Sequence, residues 1–355
     1  MKVKSDQGKT FKRWAMLLLL LPLLSACSRG GSGDQKLAEA IDPPPMEIEQ
    51  VMLQDTVETT ISEGNDVVTV YLLDRNDFLA PMSLRLDTEH SSSLTSAEKA
   101  IAWMTVNEQL ADQLPAGFTA ILPKGTAVSS INENLSDETI SVDFAAPFSG
   151  IIASHERKVI EALVWTLTEL PGINKVKLSV AGKPIQSLPS SGLPIDKTLT
   201  RGLGINLEMT KDIQLNRAMG VTLYFSSQSE DGEGYFVPVT RLINRQANPA
   251  KAALEQLIIG PKKGALKAVL TTDMTIEKVS QMADTINVSL QDSDWMPKSP
   301  VPSEMMEAIV LTLTEATGAP QVQVMMNGND SLVDSDQRTY DRPVTRPAYV
   351  NTLSR

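Results

Sequence analysis

Two stretches, EALVWTLTELPG at Glu161–Gly172 and EAIVLTLTEATG at Glu307–Gly318, say nearly the same thing 146 residues apart. In the first, Ile160, Leu163 and Leu167 fall at helical spacing; in the second, Met306, Ile309 and Leu313 do. An apolar stripe of period 3.6 is the primary mark of a helix packed on a core. Gly172 and Gly318 stand where a helix C-terminus favours glycine. The pair therefore reads as one buried helix present twice.

Working outward, the likeness continues. TISVDF (Thr139–Phe144) matches TINVSL (Thr285–Leu290), and Asn174–Lys183 matches Pro320–Asn329. Upstream the offset is 153, with Val68-Thr69-Val70-Tyr71 against Val221-Thr222-Leu223-Tyr224. Phe78–Leu86 matches Tyr235–Ile243, with Pro81 opposite Pro238. Ala97, Ala100, Ile101 and Met104 share a helical face, as do Ala250, Ala253, Leu254 and Leu257. Thr95 and Glu98 fit a capping box, and Asn248 an N-cap with Pro249 first in its helix. The second copy is seven residues shorter between this helix and the next strand, where a loop absorbs deletions. Leu199-Thr200-Arg201 and Asn206 recur as Val344-Thr345-Arg346 and Asn351, which brings the C-terminal tail into the second copy.

The unit is far longer than solenoid periods and long enough to bury its own core. The expected fold class is α+β: two tandem copies of a small domain, each with two helices on one face of a mostly antiparallel sheet. The expected division is a first domain over 63–208 and a second over 216–355.

Composition narrows the function. A net charge of −11 argues against broad nucleic-acid binding, which needs a positive surface. One cysteine, Cys27, and two histidines, His90 and His155, exclude an internal disulfide and are too few for a usual zinc site. No DxDxDG-type calcium loop is present, and neither a metal nor a cofactor is expected.

The N-terminus reads MKVKSDQGKTFKRWAMLLLLLPLLSACSRGGSG. Lys2, Lys4, Lys9, Lys12 and Arg13 precede an apolar run from Trp14 to Leu24, too short for an ordinary membrane span. Leu24-Ser25-Ala26-Cys27 resembles a bacterial lipoprotein box, which implies a signal peptide over 1–26 and a diacylated, palmitate-bearing Cys27. Loss of 1–26 removes five basic residues and one acid, taking the net charge to −15. Residues 27–62, with SRGGSGD and Pro43-Pro44-Pro45, read as a tether.

The order VTVYLLD, SAEKAIAWM, LPKGT, ISVDF, EALVWTLTELPGINKVKLSVAGK resembles the GerMN-domain family. The second copy departs from it by lacking the LPKGT element of Leu122–Thr126. The resemblance implies ring-building-type modules with two helices on a three-stranded sheet. It also implies a non-enzymatic lipoprotein of sporulation and germination. Its partners would be envelope proteins, and its place the outer face of the membrane, between mother cell and forespore.

The residues mark no catalytic site. Ser96-Ala97-Glu98-Lys99 spells SxxK, but no KTG or SDN follows, and the same residues start a helix. Neither histidine recurs between copies, and carboxylate pairs such as Asp137-Glu138 are what an acidic chain supplies by chance. Trp103 and Trp165 belong with core or interface packing. The recurrence of Arg201 and Arg346 with Asn206 and Asn351 fits pairing within each domain or, more sharply, an interface. Cys27 is then the one site residue, as the lipid anchor. An assembly protein is the leading class, and a solute-binding lipoprotein of a transporter the alternative. The direct repeat counts against the latter, because binding-protein lobes exchange strands across a hinge whereas each copy here reads as complete.

Overall fold

The computed structural model describes residues 67–85, 93–146, 151–188, 190–211 and 213–352. The chain divides into Met1–Ser62 and a unit over Glu63–Arg355. The stretches read as signal peptide and tether, Cys27 and His90 lie outside the described residues.

In the first copy β1 (Val67–Asp74) and β2 (Leu79–Arg85) form an antiparallel hairpin. Asp74 Oδ1 closes its turn by accepting the N–H groups of Asn76 and Phe78, both at 2.8 Å. Helix α1 (Ser96–Met104) starts at the expected capping box, with Glu98 N–H donating to Thr95 Oγ1 at 3.2 Å and Thr95 N–H to Glu98 Oε2 at 2.7 Å. Next come β3 (Phe118–Thr119), β4 (Val128–Asn134), β5 (Thr139–Phe144), α2 (Glu156–Leu167), β6 (Lys175–Val180) and β7 (Lys183–Pro184). β3 joins the hairpin, while β4-β5-β6-β7 form a second sheet. In it β5 and β6 are parallel, as the α2 crossover requires.

The second copy repeats this. A short strand β8 (Glu208–Met209) leads to the hairpin of β9 (Ala218–Gln228) and β10 (Gly234–Asn244). Helix α3 (Pro249–Ile259) starts with Asn248 Oδ1 accepting the Lys251 N–H at 3.0 Å and proline at its head. β11 (Thr275–Met282), β12 (Thr285–Gln291), α4 (Ser303–Thr317), β13 (Gln321–Met326) and β14 (Val344–Thr345) complete it, again with a parallel pair, β12 and β13. The six stripe residues of α2 and α4 are buried, and so are Trp103 and Trp165.

The α+β architecture in two similar halves is as the pattern predicts, and three details differ. First, the strands of each half divide between two sheets. Val68, Val70, Tyr71 and Leu72 are all buried, so β1 has no solvent face and packs on both sides. Second, α2 stops at Leu167 with Thr168 as C-cap, and Gly172 (φ +75°) lies in the turn beyond; Gly318 caps α4 directly, at φ +71°. Third, the copies are not self-contained. β8, from the end of the first repeat, pairs in parallel with β10 of the second, Glu208 opposite Arg241 and Met209 opposite Leu242. Reciprocally, the second copy's tail reaches β2, where Ser83 Oγ donates to the Val350 carbonyl at 2.9 Å. β8 thereby covers part of the β10 edge, whose backbone groups would otherwise stay unpaired.

Candidate functional site

The repeated Thr-Leu-Thr-Glu of Thr166–Glu169 and Thr312–Glu315 lies where the copies meet. Along α2 the leucine faces the core while Thr166 Oγ1 accepts the Tyr71 N–H at 2.9 Å. Thr312 Oγ1 does the same for the Tyr224 N–H at 3.1 Å. Each threonine satisfies a buried strand N–H on the hairpin beside it. A Thr312→Val chain keeps the volume and strands that donor, so denaturant melts are expected to show a loss of about 1–3 kcal/mol. An unchanged midpoint would mean that this N–H finds water.

Glu169 and Glu315, the last letters, meet two arginines. Arg201 donates from Nη2 to Glu169 Oε1 (2.7 Å), from Nη1 to Glu315 Oε2 (2.8 Å) and from Nε to Thr168 Oγ1 (2.8 Å). One guanidinium thus joins a carboxylate of its own copy to one of the other. Arg346 faces the same two carboxylates, at 3.8 Å from Glu169 and 3.5 Å from Glu315. The Tyr71 hydroxyl donates to Glu169 Oε1 at 3.0 Å, and Arg346 Nη2 donates to the Tyr224 hydroxyl at 2.9 Å. Arg201 also lies over the Trp165 ring, 4.6 Å from its centroid. Burial works against the Glu169 charge, but Arg201 and Arg346 outweigh it and hold the carboxyl below its ordinary range. Burial pushes the Tyr71 and Tyr224 hydroxyls up, keeping both protonated.

Two asparagines repeat the reciprocity. Asn206 Oδ1 accepts the Leu79 N–H at 2.9 Å, and its Nδ2 donates to the carbonyls of Leu79 (2.7 Å) and Pro238 (2.8 Å). Asn351 Oδ1 accepts the Phe236 N–H at 2.7 Å, and its Nδ2 donates to Phe236 (2.8 Å) and Pro81 (2.7 Å). Each therefore ties its own hairpin to that of the other copy, at the matched prolines. Both sit in the left-handed region, at φ +47° and +56°, which asparagine tolerates better than most residues. The junction also has unmatched parts. The Tyr235 hydroxyl of the second copy donates to Asp74 Oδ2 of the first at 2.7 Å. Arg241, fully buried, holds Glu208 with Nη2 at 2.8 Å and Nε at 3.0 Å.

The structure places the other residues singled out by sequence apart from one another. His155 Nε2 lies 3.0 Å from Asp77 Oδ1, where with Lys158 it ties the start of α2 to the β1–β2 turn. Ser96 and Lys99 belong to the first turn of α1. Asp137 Oδ2 accepts from Asn134 Nδ2 at 2.8 Å, and Glu138 is exposed. Among the described residues no three His, Cys, Asp or Glu side chains converge in a way that fits a metal ion. No helix among them is long and apolar enough to cross a membrane. Over the charge cluster opens a cleft of about 540 Å³, lined by Arg201, Arg346, Glu169, Glu315, Asn174 and Lys175 among others. Of the four charged residues beneath it, the sequence singled out the arginines and passed over the glutamates, which sit at the ends of stretches read as helical core. The available signal was that Glu169 and Glu315 recur alongside Arg201 and Arg346.

Comparison with known proteins agrees with this geometry. Residues 69–186 and 222–331 match the family model described as Germane: Sporulation and spore germination. The chain is 30% identical to the spore germination protein GerM of Bacillus subtilis (strain 168), over 94% of this chain and 95% of the relative. It superposes on the tandem GerMN domains of the sporulation protein GerM from Bacillus subtilis with a TM-score of 0.73, at 31% identity, covering 81% of this chain and 99% of that one. A repeat matched twice by one family model, behind a relative aligned nearly end to end, fixes the assignment: the chain belongs to the Germane family of sporulation and spore germination proteins.

Proposed function

We propose that the chain is a lipid-anchored, non-enzymatic lipoprotein whose two GerMN copies act as a single rigid building block in an envelope assembly of the sporulating cell. The observation that carries this is the reciprocal junction. Arg201 spans carboxylates of both copies, Asn206 and Asn351 each hydrogen-bond both hairpins, and each tail crosses to the other copy. Such a body presents fixed outer surfaces to other proteins. A solute-binding lipoprotein needs lobes that part to admit ligand; here the place of the hinge is taken by buried hydrogen bonds and ion pairs.

The lipoprotein box supports the anchor at Cys27, on the extracytoplasmic face of the membrane and, during sporulation, in the space between mother cell and forespore. A Cys27→Ala chain is expected to leave the membrane fraction yet melt like the parent; if it stays membrane-bound, the anchor is misassigned. Affinity capture from membranes of sporulating cells tests the assembly. Recovery of trans-envelope assembly proteins supports it, and recovery of a transporter permease instead would move the reading to solute binding.

A further inference from the structure

Because the fold is present twice, each copy shows how the other's spaces are filled, and at one place they differ. In the second copy a cleft of about 330 Å³ opens between the start of α3, the end of α4 and strands β11 and β12. Its apolar wall includes Ala247, Val279 and Ala316. The counterparts in the first copy are Leu94, Ile131 and Leu170. Ala247 precedes the N-cap Asn248 as Leu94 precedes the N-cap Thr95. Val279 pairs with Val288 as Ile131 pairs with Val142, and Ala316 follows Glu315 as Leu170 follows Glu169. Leu94, Ile131 and Leu170 are half-buried and pack on the core. All three positions are smaller in the second copy, yet the layer beneath is intact: Ile286 and Ala250 are 1% and 4% exposed and Leu313 is fully buried. The cleft is therefore a hole in the outer layer of a well-packed core.

The walls also define the charge of what fits. None of the described residues lining the cleft is ionisable, although the chain carries −11. Gln281, opposite Ile286, stands where the first copy has Glu133 opposite Ile140. A charged group would lose water here without gaining a counter-ion. Three polar side chains remain in the lining. Thr317 is satisfied within α4 and its turn: its Oγ1 donates to the Leu313 carbonyl at 2.7 Å and accepts the Ala319 N–H at 3.2 Å. Asn248 Oδ1 accepts the Lys251 N–H, which leaves its Nδ2 as a donor. Gln281 Nε2 donates to the Ala283 carbonyl at 3.3 Å, which leaves its Oε1 as an acceptor. A spare donor and a spare acceptor beside an apolar hole match the carbonyl and N–H of a peptide. An acyl chain would use neither.

We propose that this cleft binds an uncharged segment of a partner protein through two branched aliphatic side chains, leucine or isoleucine, which take the places that Leu94 and Leu170 take in the first copy. The backbone of the segment bonds Asn248 Nδ2 and Gln281 Oε1. Anchoring by a few apolar side chains in a preformed hole is a common way for one protein to hold another. The proposal rests on the reading of the chain as an assembly block and assigns its copies different parts. The first copy is closed by its own leucines, and the second is open to a partner's.

The probe is the capped peptide acetyl-Leu-Leu-amide, titrated into the chain without its lipid anchor and followed by amide NMR. Saturable shifts are expected at Ala247, Val279 and Ala316, with the low affinity that so few buried atoms allow. Leu94, Ile131 and Leu170 should not move, and acetyl-Gly-Gly-amide should shift none of the six. The Ala247→Leu/Ala316→Leu chain restores the side chains of the first copy. It is expected to melt at or above the temperature of the parent and to lose the response to the peptide. No shift at the three positions, a response that survives the double substitution, or a lowered melt would each overturn the proposal. Equal shifts with octyl glucoside below its micelle threshold would also overturn it and give the cleft to an acyl chain. Capture from membranes of sporulating cells separates this site from the assembly reading. If the double variant recovers the same assembly proteins as the parent, the cleft is not their contact and the proposal falls, while the assembly reading stands.

Discussion

Replacing Arg201 by alanine is expected to lower the stability of the whole tandem by about 3 kcal/mol, a fall of roughly 5 °C in melting temperature. The change leaves Glu169 and Glu315, one from each copy, without their closest cation. It also removes the guanidinium from the Trp165 face and the Thr168 hydroxyl. The magnitude is set toward the lower end of the buried-pair range because the Arg201 side chain is 21% exposed. Arg201→Lys is expected to recover only part, since an ammonium cannot bridge two carboxylates in a planar fork. The effect also has a pH signature. Glu169 is depressed in the folded state, so its stabilisation is present above its unfolded pKa of about 4.3 and is lost as pH falls through the folded value. The gap between parent and variant therefore narrows below about pH 4. A gap that is constant down to pH 2 would mean that the loss is packing and not charge.

Arg241→Met is expected to cost about 3–5 kcal/mol. Arg241 is fully buried, Glu208 nearly so, and Glu208 Oε1 has no hydrogen-bond partner among the described residues. Without the arginine a carboxylate remains in an apolar place, and the carbonyls of Gln256 and Gly260 lose a donor. Arg241→Met/Glu208→Leu, which removes both charges, is expected to lose much less than the single variant, because a buried pair is worth little over an apolar replacement. Equal losses in the two chains would assign the cost to the Gln256 and Gly260 hydrogen bonds instead. The pair has no counterpart in the first hairpin, where Leu84 stands opposite Arg241 in the repeat. It therefore tests the tail crossing at β8 separately from the charge cluster.

The fold was largely legible because hydrophobic periodicity reports burial, and here it does so twice. The stripe of Leu163 and Leu167, the capping box at Thr95 and the N-cap at Asn248 are local patterns with local causes. The junction was less legible for a physical reason. Periodicity says that a side chain is buried but not which copy buries it. Tyr71 and Tyr224 read as strand residues, and only the folded chain shows Tyr71 reaching Glu169 and Tyr224 meeting Arg346. Asn206 read as the end of one domain, yet its amide serves two. The arginines carried the better signal, since a recurring cation in an acidic chain needs a recurring acid.

Whether the two copies behave as one body is read by differential scanning calorimetry of the chain without its lipid anchor. A single transition is expected, with a calorimetric enthalpy equal to the van't Hoff enthalpy, moved down as a whole by Arg201→Ala. Two resolved transitions, of which Arg201→Ala moves neither, would show copies that fold and act independently and would contradict it.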